Sequence, residues 1–232
     1  MNKRKLIFTA AATGALAGIE GFVLSRYFPP AEKAKAGKKH LVCVGDSITF
    51  GAGVIWSRKK SAWPYVLNRL LGDTWQVLNY GVSGTTAQDE ADFPYLQRGH
   101  ARAVMDLQPD ATLLMLGTND SKPFNWNAER YEKNMHKWIR AFNGVSKLIV
   151  LLPPKAFPGK LGVVDFFIKD EVIHDEIQPI LRRLAEEENV PVIDLYAFTE
   201  GHPEYFDDGV HPNVLGNRKI AEFLAEELRN LM

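Results

Sequence analysis

The sequence predicts an α/β fold in which helices cover both faces of a parallel sheet. Five short apolar runs rich in β-branched residues recur along the chain, and segments with apolar residues at helical spacing lie between them. Strands that alternate with helices in this way form parallel sheets, since the crossover between parallel strands is long enough to hold a helix. Neither an all-helical nor an all-β fold accounts for this alternation.

Four of the five predicted strands end at a glycine or directly before a proline. The strands are expected at 40–45, Gln76–Gly81, Ala111–Gly117, Lys147–Leu152 and Val190–Leu195. The helices are expected at Ala62–Leu71, within Tyr95–Leu107, and at Ala128–Phe142, Asp170–Glu188 and Asn213–Leu231. Pro179 lies inside the fourth helix and should kink or divide it, because proline lacks the backbone N–H and its ring clashes with the preceding turn.

Composition and charge exclude several classes of protein. The 232 residues suit one domain with a sizeable core, and 28 basic residues balance 28 acidic ones. Nucleic-acid binders usually concentrate basic residues on one face, so we predict no nucleic-acid partner. Cys43 is the single cysteine, which excludes an internal disulfide and a zinc site built from several cysteines. The histidines lack paired ligand spacing, and we predict neither a metal nor a cofactor.

The first 28 residues differ from the rest of the chain. Basic residues at positions 3–5 precede an apolar, alanine-rich run from Leu6 to Ile19. This order is typical of an export signal, and cleavage could follow Ala17. The alternatives are an uncleaved membrane anchor over residues 6–24 and an ordinary buried helix. Glu20 argues against the anchor, because a carboxylate in hydrocarbon costs about 2.5 kcal/mol or more.

The N-terminal pattern bears on location and on domain boundaries. An export signal or an anchor would place the protein in the periplasm, outside the cell, or on a membrane facing outwards. Residues 29–39 are rich in lysine and alanine and are predicted to be a linker. The folded domain is therefore expected to span residues 40–232.

Polar residues beside glycines follow three of the predicted strands, and a fourth set lies in the loop after the last strand. The sets are Gly45-Asp46-Ser47, Gly81-Val82-Ser83-Gly84, Gly117-Thr118-Asn119-Asp120 and Asp208-Gly209-Val210-His211. In a parallel sheet all four sets would lie at one edge. That edge is where open α/β sheets bind their ligands.

These sets contain the groups that a serine nucleophile needs. Acyl transfer requires an imidazole to take the hydroxyl proton, a carboxylate to orient the imidazole, and donors for the developing oxyanion. Ser47, His211 and Asp208 can supply the first three. Asn119 and the backbone N–H groups of Gly84 and Ser47 can supply the donors. A serine after a strand is more often a helix N-cap, so the combination, rather than Ser47 alone, favours catalysis.

The four sets together resemble the sequence blocks of the SGNH, or GDSL-type, hydrolase family. Ser47 stands in Gly-Asp-Ser-Ile-Thr, Gly84 in Gly-Val-Ser-Gly-Thr, Asn119 in Gly-Thr-Asn-Asp and His211 in Asp-Gly-Val-His-Pro-Asn. One block alone would be weak, but four in family order across about 41–231 are specific. The resemblance implies a three-layer α/β/α sandwich with a five-stranded parallel, flavodoxin-like sheet.

The resemblance also implies that the folded domain is a carboxylic ester hydrolase. It assigns Ser47 as the nucleophile, His211 as general base and then acid, and Asp208 as the partner of the histidine. It assigns the amide of Ser47, Gly84 and Asn119 to the oxyanion hole. Other polar residues of the same blocks are expected to shape loops instead, and these are Asp46, Ser83 and Asp120.

The stretches 117–126 and 170–180 are similar to bacterial carbohydrate O-acetylesterases, those related to sialate or xylan acetylesterases. This similarity implies a small-molecule or polysaccharide ester as the substrate, and an O-acetyl group on a carbohydrate first of all. Trp126 could stack on a sugar ring, and packing at the core or rim is an equal alternative. Two other functions stay open: a lipid esterase, lysophospholipase or thioesterase of the same family, and a non-catalytic carbohydrate-binding surface protein.

Overall fold

Within residues 29–158 and 166–232, which the computed structural model describes, one sheet of five parallel strands forms in the order β2-β1-β3-β4-β5. The strands are β1 (Lys39–Gly45), β2 (Trp75–Gly81), β3 (Ala111–Met115), β4 (Lys147–Leu152) and β5 (Val192–Asp194). The predicted α/β fold with a five-stranded parallel sheet is confirmed.

β1 lies inside the sheet, and its alternating side chains contribute to two cores. Successive side chains of a strand point to opposite faces. Val42 and Val44 pack into one cluster of buried apolar residues, and Leu41 and Cys43 pack into another. All four side chains are buried. The sheet therefore has an apolar core on each face, which is the arrangement of a three-layer sandwich.

Helices cover both cores. The longer ones are α3 (Trp63–Leu71), α4 (Gly99–Leu107), α5 (Ala128–Asn143), α7 (Gln178–Glu187) and α9 (Val214–Leu231). The shorter ones are α1 (Ser47–Phe50), α2 (Arg58–Ser61), α6 (Asp170–Val172) and α8 (Leu195–Thr199). Single 3₁₀ turns occur at Ala52–Ser57, Tyr95–Gln97 and Pro203–Tyr205.

Buried residues assign the helices to the two faces. Val104 of α4, Tyr131 of α5 and Leu181 of α7 belong to the cluster around Val42 and Val44. Leu67 of α3 and Leu224 of α9 belong to the cluster around Leu41 and Cys43. This division follows the apolar spacing of each helix, because only one stripe of an amphipathic helix can face the sheet.

The helix predicted at Asp170–Glu188 continues through its proline instead of dividing. α6 runs into a π-helical turn at Ile173–Ile177, and α7 follows with Pro179 in its first turn. A π turn widens the helix by one residue. This widening directly precedes Pro179, so the missing N–H and the bulk of the ring are accommodated within a continuous helix.

The strand register brings three loops to one edge of the sheet. Gly45, at the end of β1, pairs with Gly81 of β2 on one side and with Met115 of β3 on the other. The chain passes from β2 to the far side of β1 before it forms β3, so the strand order reverses between β1 and β3. Such a reversal leaves a crevice at the carboxyl ends of the strands where ligands bind.

Gly45 and Gly81 allow α1 to pack directly onto the strand ends. A Cβ atom on Gly45 would lie 2.2 Å from Thr49 Oγ1 and 2.8 Å from the Met115 carbonyl oxygen. A Cβ atom on Gly81 would lie 2.2 Å from the backbone nitrogen of Phe50. A larger residue at either position would therefore push away the short helix that begins with Ser47.

The stretch predicted as a linker, 29–39, instead lies against the domain from Ala31 onwards. The Glu32 carboxylate accepts hydrogen bonds from the Tyr65 hydroxyl at 2.5 Å and from the Asn79 backbone N–H at 2.9 Å. The Lys35 N–H donates to the Gln76 side chain at 2.7 Å. We call residues 31–38 the N-terminal arm. The lysine and alanine content of the arm gives no sign of this docking. Two of the hydrogen bonds are made by the carboxylate of a single residue, Glu32.

The predicted export signal or anchor, including the apolar run over residues 6–24, lies outside the described residues. In the part of the chain that the structure describes, no helix is long and apolar enough to cross a membrane.

Candidate active site

Ser47 is the first residue of α1 and directly follows the loop from β1. The Asp46 side chain caps this helix by accepting a 2.9 Å hydrogen bond from the Ile48 N–H. The predicted role of Asp46 in shaping the turn is thereby confirmed. Asp46 is fully buried, whereas Ser47 keeps 9% of its surface exposed. The cap therefore fixes Ser47 at the sheet edge, where a small part of the residue stays exposed.

A chain of hydrogen bonds joins Ser47, His211 and Asp208. The Ser47 Oγ lies 2.9 Å from His211 Nε2, and His211 Nδ1 lies 2.7 Å from Asp208 Oδ2. A carboxylate only accepts, so the proton lies on Nδ1 and leaves Nε2 free to accept the serine proton. The sequence separates Ser47 from His211 by 164 positions. The fold thus brings together the three residues that the sequence analysis singled out.

Backbone groups hold Asp208 in place for this contact. Its Oδ1 accepts hydrogen bonds from the N–H groups of Val210 at 2.9 Å and of His211 at 2.7 Å. Burial alone would raise the pKa of the Asp208 carboxyl, but the hydrogen bond and charge of His211 and the two backbone bonds lower it below its ordinary value. Asp208 therefore stays ionised and can stabilise a protonated imidazole.

Two neighbours that the sequence analysis did not identify pack against His211. The Phe166 ring meets the imidazole edge to face, with centroids 5.0 Å apart and planes at 88°. Gly53 lies so close that a Cβ atom there would be 3.1 Å from the His211 Cβ and 2.4 Å from the Pro212 carbonyl oxygen. These contacts limit the rotation of the imidazole. Neither has a local sequence signal beyond the glycine itself.

The predicted oxyanion donors lie in the loops after β2 and β3. Gly84 has a φ of +81°, a left-handed conformation that glycine adopts without a Cβ penalty. The Asn119 side-chain nitrogen donates one hydrogen bond to the Thr85 carbonyl at 3.1 Å. That bond ties Asn119 to the loop that contains Gly84 and leaves its second N–H available to a ligand.

Asp120 braces the same two loops. Its carboxylate accepts hydrogen bonds from the N–H groups of Ala87 at 2.9 Å and Gln88 at 3.1 Å, and from the Gln88 side chain at 3.2 Å. Burial raises the pKa of Asp120 from 3.8 to about 6, these three bonds oppose the rise, and the charge of Asp46 adds to it. The predicted role of Asp120 as a loop support is confirmed.

Asp46 is a second buried carboxyl beside the same loops. Burial raises the pKa of Asp46 from 3.8 to about 6. The Ile48 N–H, the charge of His211 and the Thr118 hydroxyl act in the opposite direction. A negative charge at Asp46 therefore costs folding free energy.

Trp126 lies on the side of the β3 loop that faces α5 and the π turn. Its indole N–H donates to Glu176 at 3.1 Å, and its ring lies 5.5 Å from that of Tyr131. The side chain packs against the core as a partly buried residue. These contacts match the packing alternative for Trp126, and its contact with a sugar ring stays a prediction.

Among residues 29–158 and 166–232, no three or more His, Cys, Asp or Glu side chains come together in a group that could hold a metal ion.

The α/β/α sandwich and the Ser–His–Asp arrangement at its sheet edge are features of serine-dependent hydrolases. The chain belongs to the GDSL-like lipase/acylhydrolase family, whose model matches residues 43–219. It is therefore a carboxylic ester hydrolase, and the resemblance seen in the sequence is confirmed.

Two relatives show the range of activities among similar proteins. An acetylxylan esterase from Xylanibacter ruminicola is 32% identical over 222 residues, which cover 86% of this chain. The chain spans only 45% of the length of that protein. Thioesterase 1/protease 1/lysophospholipase L1 from Escherichia coli is 28% identical over 200 residues, which cover 83% of this chain and 84% of that protein.

Solved structures support the fold. A carbohydrate acetylesterase from Sinorhizobium meliloti superposes with a TM-score of 0.67 at 20% identity, over 84% of this chain and 100% of the other. The aryl esterase of M. smegmatis superposes with a TM-score of 0.65 at 24% identity, with the same coverage. Helices and strands outside the four sequence blocks are thus shared as well.

Proposed function

We propose that this protein is a serine esterase that removes O-acetyl groups from a carbohydrate. The observation that carries the proposal is the continuous contact from Asp208 through His211 to Ser47. In the proposed roles, Ser47 is the nucleophile, His211 the general base and acid, and Asp208 the group that orients and stabilises the imidazole.

Acylation begins when the Ser47 oxygen attacks the carbonyl carbon of the ester and its proton passes to His211 Nε2. The carbonyl oxygen becomes an oxyanion. When the tetrahedral intermediate collapses, the bond from the carbonyl carbon to the sugar oxygen breaks, and His211 donates its proton to that oxygen. The products are the free sugar hydroxyl and an acetyl group esterified to Ser47.

Deacylation repeats these steps with water. His211 takes a proton from a water molecule, whose oxygen attacks the acetyl carbonyl carbon. The bond to Ser47 then breaks and the serine oxygen regains the proton from His211. Acetate leaves, and the enzyme returns to its initial state with no cofactor consumed.

The oxyanion is assigned to donors from three loops. These are the backbone N–H groups of Ser47 and Gly84 and the side-chain N–H of Asn119. Because Asp120 ties the second and third loops together, their donors are held in place before the substrate binds. Donors fixed in advance need no reorganisation as charge develops, and each contributes a factor of about 100 to 1,000 in rate.

The choice of a carbohydrate acetyl ester is supported by the relatives. The acetylxylan esterase and the carbohydrate acetylesterase bear names that specify this substrate class. The E. coli relative is named for thioester and lysophospholipid hydrolysis, and this supports the second candidate, a lipid esterase or thioesterase.

Substrate profiling separates these candidates. Acetate release should be measured on acetylated xylan, sialic acid, chitin-type and pectin substrates, in parallel with acetyl, octanoyl and palmitoyl esters. We expect acetyl esters, and at least one acetylated glycan, to be hydrolysed fastest. A preference for long acyl chains would support the lipid esterase and contradict our proposal, and saccharide binding without turnover would support a non-catalytic binding protein.

Ser47→Ala is the control for the mechanism. It removes only one oxygen atom and leaves the Asp46 cap of α1 unchanged, so the variant should fold as the wild type does. We expect esterase activity to fall to background. A folded Ser47→Ala protein with unchanged activity would contradict the assignment of the nucleophile.

We further propose that the protein acts outside the cytoplasm, either free after export or attached through residues 6–24. The basic start and apolar run support this location. Cell fractionation, with N-terminal sequencing of the mature protein, tests it. A mature protein that retains Met1 and occurs in the cytosol would contradict the proposal.

A further inference from the structure

Two exposed aromatic side chains stand together beside the active site. Phe124 is 63% exposed and Phe167 is 52% exposed, although large apolar side chains are usually buried. Their ring centroids lie 5.9 Å apart, with the planes at 68°. The two rings are therefore steeply inclined to each other, and together they form an exposed aromatic surface.

Chain connections place this pair at the rim of the site. Phe166, which packs on His211, directly precedes Phe167. Phe124 lies in the loop that carries Asn119, five positions further along. The backbone N–H of Lys169 donates to the Ser121 hydroxyl at 3.1 Å, which joins the two segments. The aromatic pair thus lies between the loop of the oxyanion donor and the residue that packs on the general base.

The backbone at Phe167 is strained. Its φ is +58°, in the left-handed region that a bulky aromatic residue rarely occupies. This conformation separates two consecutive rings, so that Phe166 contacts His211 while Phe167 contacts Phe124. Backbone strain of this kind clusters at functional sites.

The surroundings of the pair are polar. The Lys122 ammonium lies 5.9 Å from the centre of the Phe124 ring and 4.0 Å from the Asp92 carboxylate. An apolar ring edged by charged donors and acceptors complements a sugar, which has an apolar C–H face and a rim of hydroxyls. A long acyl chain would be better matched by a continuous apolar surface.

We propose that Phe124 and Phe167 form a subsite that holds a sugar ring of the substrate while the ester carbonyl lies at Ser47. This inference rests on the proposed carbohydrate esterase function and adds the residues that recognise the carbohydrate. It also replaces Trp126 as the aromatic platform, because the Trp126 indole already contacts Tyr131 and Glu176.

The test compares two substrates that share the acetyl group. One is an acetylated xylo-oligosaccharide, and the other is ethyl acetate, which has neither a sugar nor an aromatic ring. For Phe124→Ala and Phe167→Gly, we expect KM for the oligosaccharide to rise about fivefold, as for the loss of one aromatic contact. We expect kcat/KM for ethyl acetate to stay within about twofold of the wild type.

Two controls separate the subsite from effects on folding. Leu70 is an apolar side chain that is 45% exposed, near the end of α3 that leads to the opposite sheet edge. Leu70→Ala should leave KM and kcat unchanged for both substrates. Phe167→Gly should keep the thermal unfolding midpoint of the wild type, because glycine accepts a positive φ. Phe124 is exposed, so Phe124→Ala should also fold as the wild type does and tests the subsite independently of Phe167→Gly.

Three results would overturn the subsite. Equal losses on both substrates would mean that the rings position His211 instead of binding sugar. No loss on either would mean that the pair binds nothing in the reaction. A loss confined to an octanoyl ester would assign the pair to an acyl chain. Failure of the proposed function itself would give a different result. The wild type would not hydrolyse ethyl acetate, or the Ser47→Ala variant would still hydrolyse it.

Discussion

Replacing Asp46 with asparagine should stabilise the folded protein at neutral pH. Asp46 is fully buried, and one of its oxygens accepts the Ile48 N–H that begins α1. Asparagine keeps that acceptor and places an amide where the second carboxylate oxygen lies, a buried atom without a hydrogen-bond partner among the described residues. The substitution therefore removes a buried negative charge while it preserves the shape of the turn.

The magnitude follows from the pKa of Asp46, which burial raises from 3.8 to about 6. A raised carboxyl pKa means that the folded state binds the proton more tightly than the unfolded state. The stabilisation is complete below pH 3.8 and is lost as the pH rises through about 6. At about 1.36 kcal/mol per pKa unit, the loss is about 3 kcal/mol. Asparagine is neutral throughout, so it avoids this loss.

Urea unfolding followed by tryptophan fluorescence between about pH 4 and about pH 8 measures the difference. The free energy of unfolding of Asp46→Asn should equal that of the wild type at the acidic end and exceed it by about 3 kcal/mol at the alkaline end. Asp73→Asn is the matched control, since the Asp73 side chain is fully exposed. A difference that does not change with pH, or a less stable variant at pH 8, would refute the reasoning.

Activity should change in the opposite direction. An imidazolium forms at His211 when Ser47 gives up its proton, and the negative charge of Asp46 lies close enough to attract that positive charge. Asp46→Asn should therefore lower kcat for ethyl acetate while the protein becomes more stable. A variant that gains both stability and kcat would contradict this electrostatic role.

Three further substitutions test the site and the strand ends. Asn119→Ala should lower kcat by about 100- to 1,000-fold in a folded protein whose thermal unfolding midpoint falls only slightly through loss of the bond to Thr85, and a midpoint that collapses would assign Asn119 to the fold instead. Asp208→Asn should lower kcat by about four decades, measured on the same ester, because the imidazole loses its orienting carboxylate. Gly81→Ala should lower the free energy of unfolding, measured with urea, by up to about 3 kcal/mol, because its Cβ would clash with the Phe50 backbone. Gly99→Ala is the control, since a Cβ atom there has no neighbour within 4 Å.

The sheet could be predicted because each strand has a local signal. The prediction for β4, Lys147–Leu152, coincides with the structure, and the helix expected at Ala128–Phe142 ends one residue later. In contrast, Gly51 and Gly53 predict a loop after Ser47. It forms short helical turns, since packing against neighbouring elements outweighs the weak helix propensity of glycine.

The triad contact is another arrangement that could be foreseen, because parallel strands bring their carboxyl ends to one edge. Contacts that start from the N-terminal arm or from a loop could not be predicted in this way. Glu32 reaches Asn79 across 47 positions, and Phe166 reaches His211 from a loop with no periodic pattern. Neither pair has a signature in its own segment. Trp126 illustrates the same limit, since the sequence left sugar stacking and packing as equal alternatives and its contacts with Tyr131 and Glu176 could not be foreseen.

β2 is an outer strand of the sheet, and outer strands expose backbone groups that can pair with a second chain. The N-terminal arm covers part of this border, because Glu32 accepts the Asn79 N–H and the arm also pairs with the Gln76 side chain. A second molecule that added a strand at this border would have to displace those hydrogen bonds. Removing the arm would therefore leave the Asn79 N–H and the border of β2 open to strand addition.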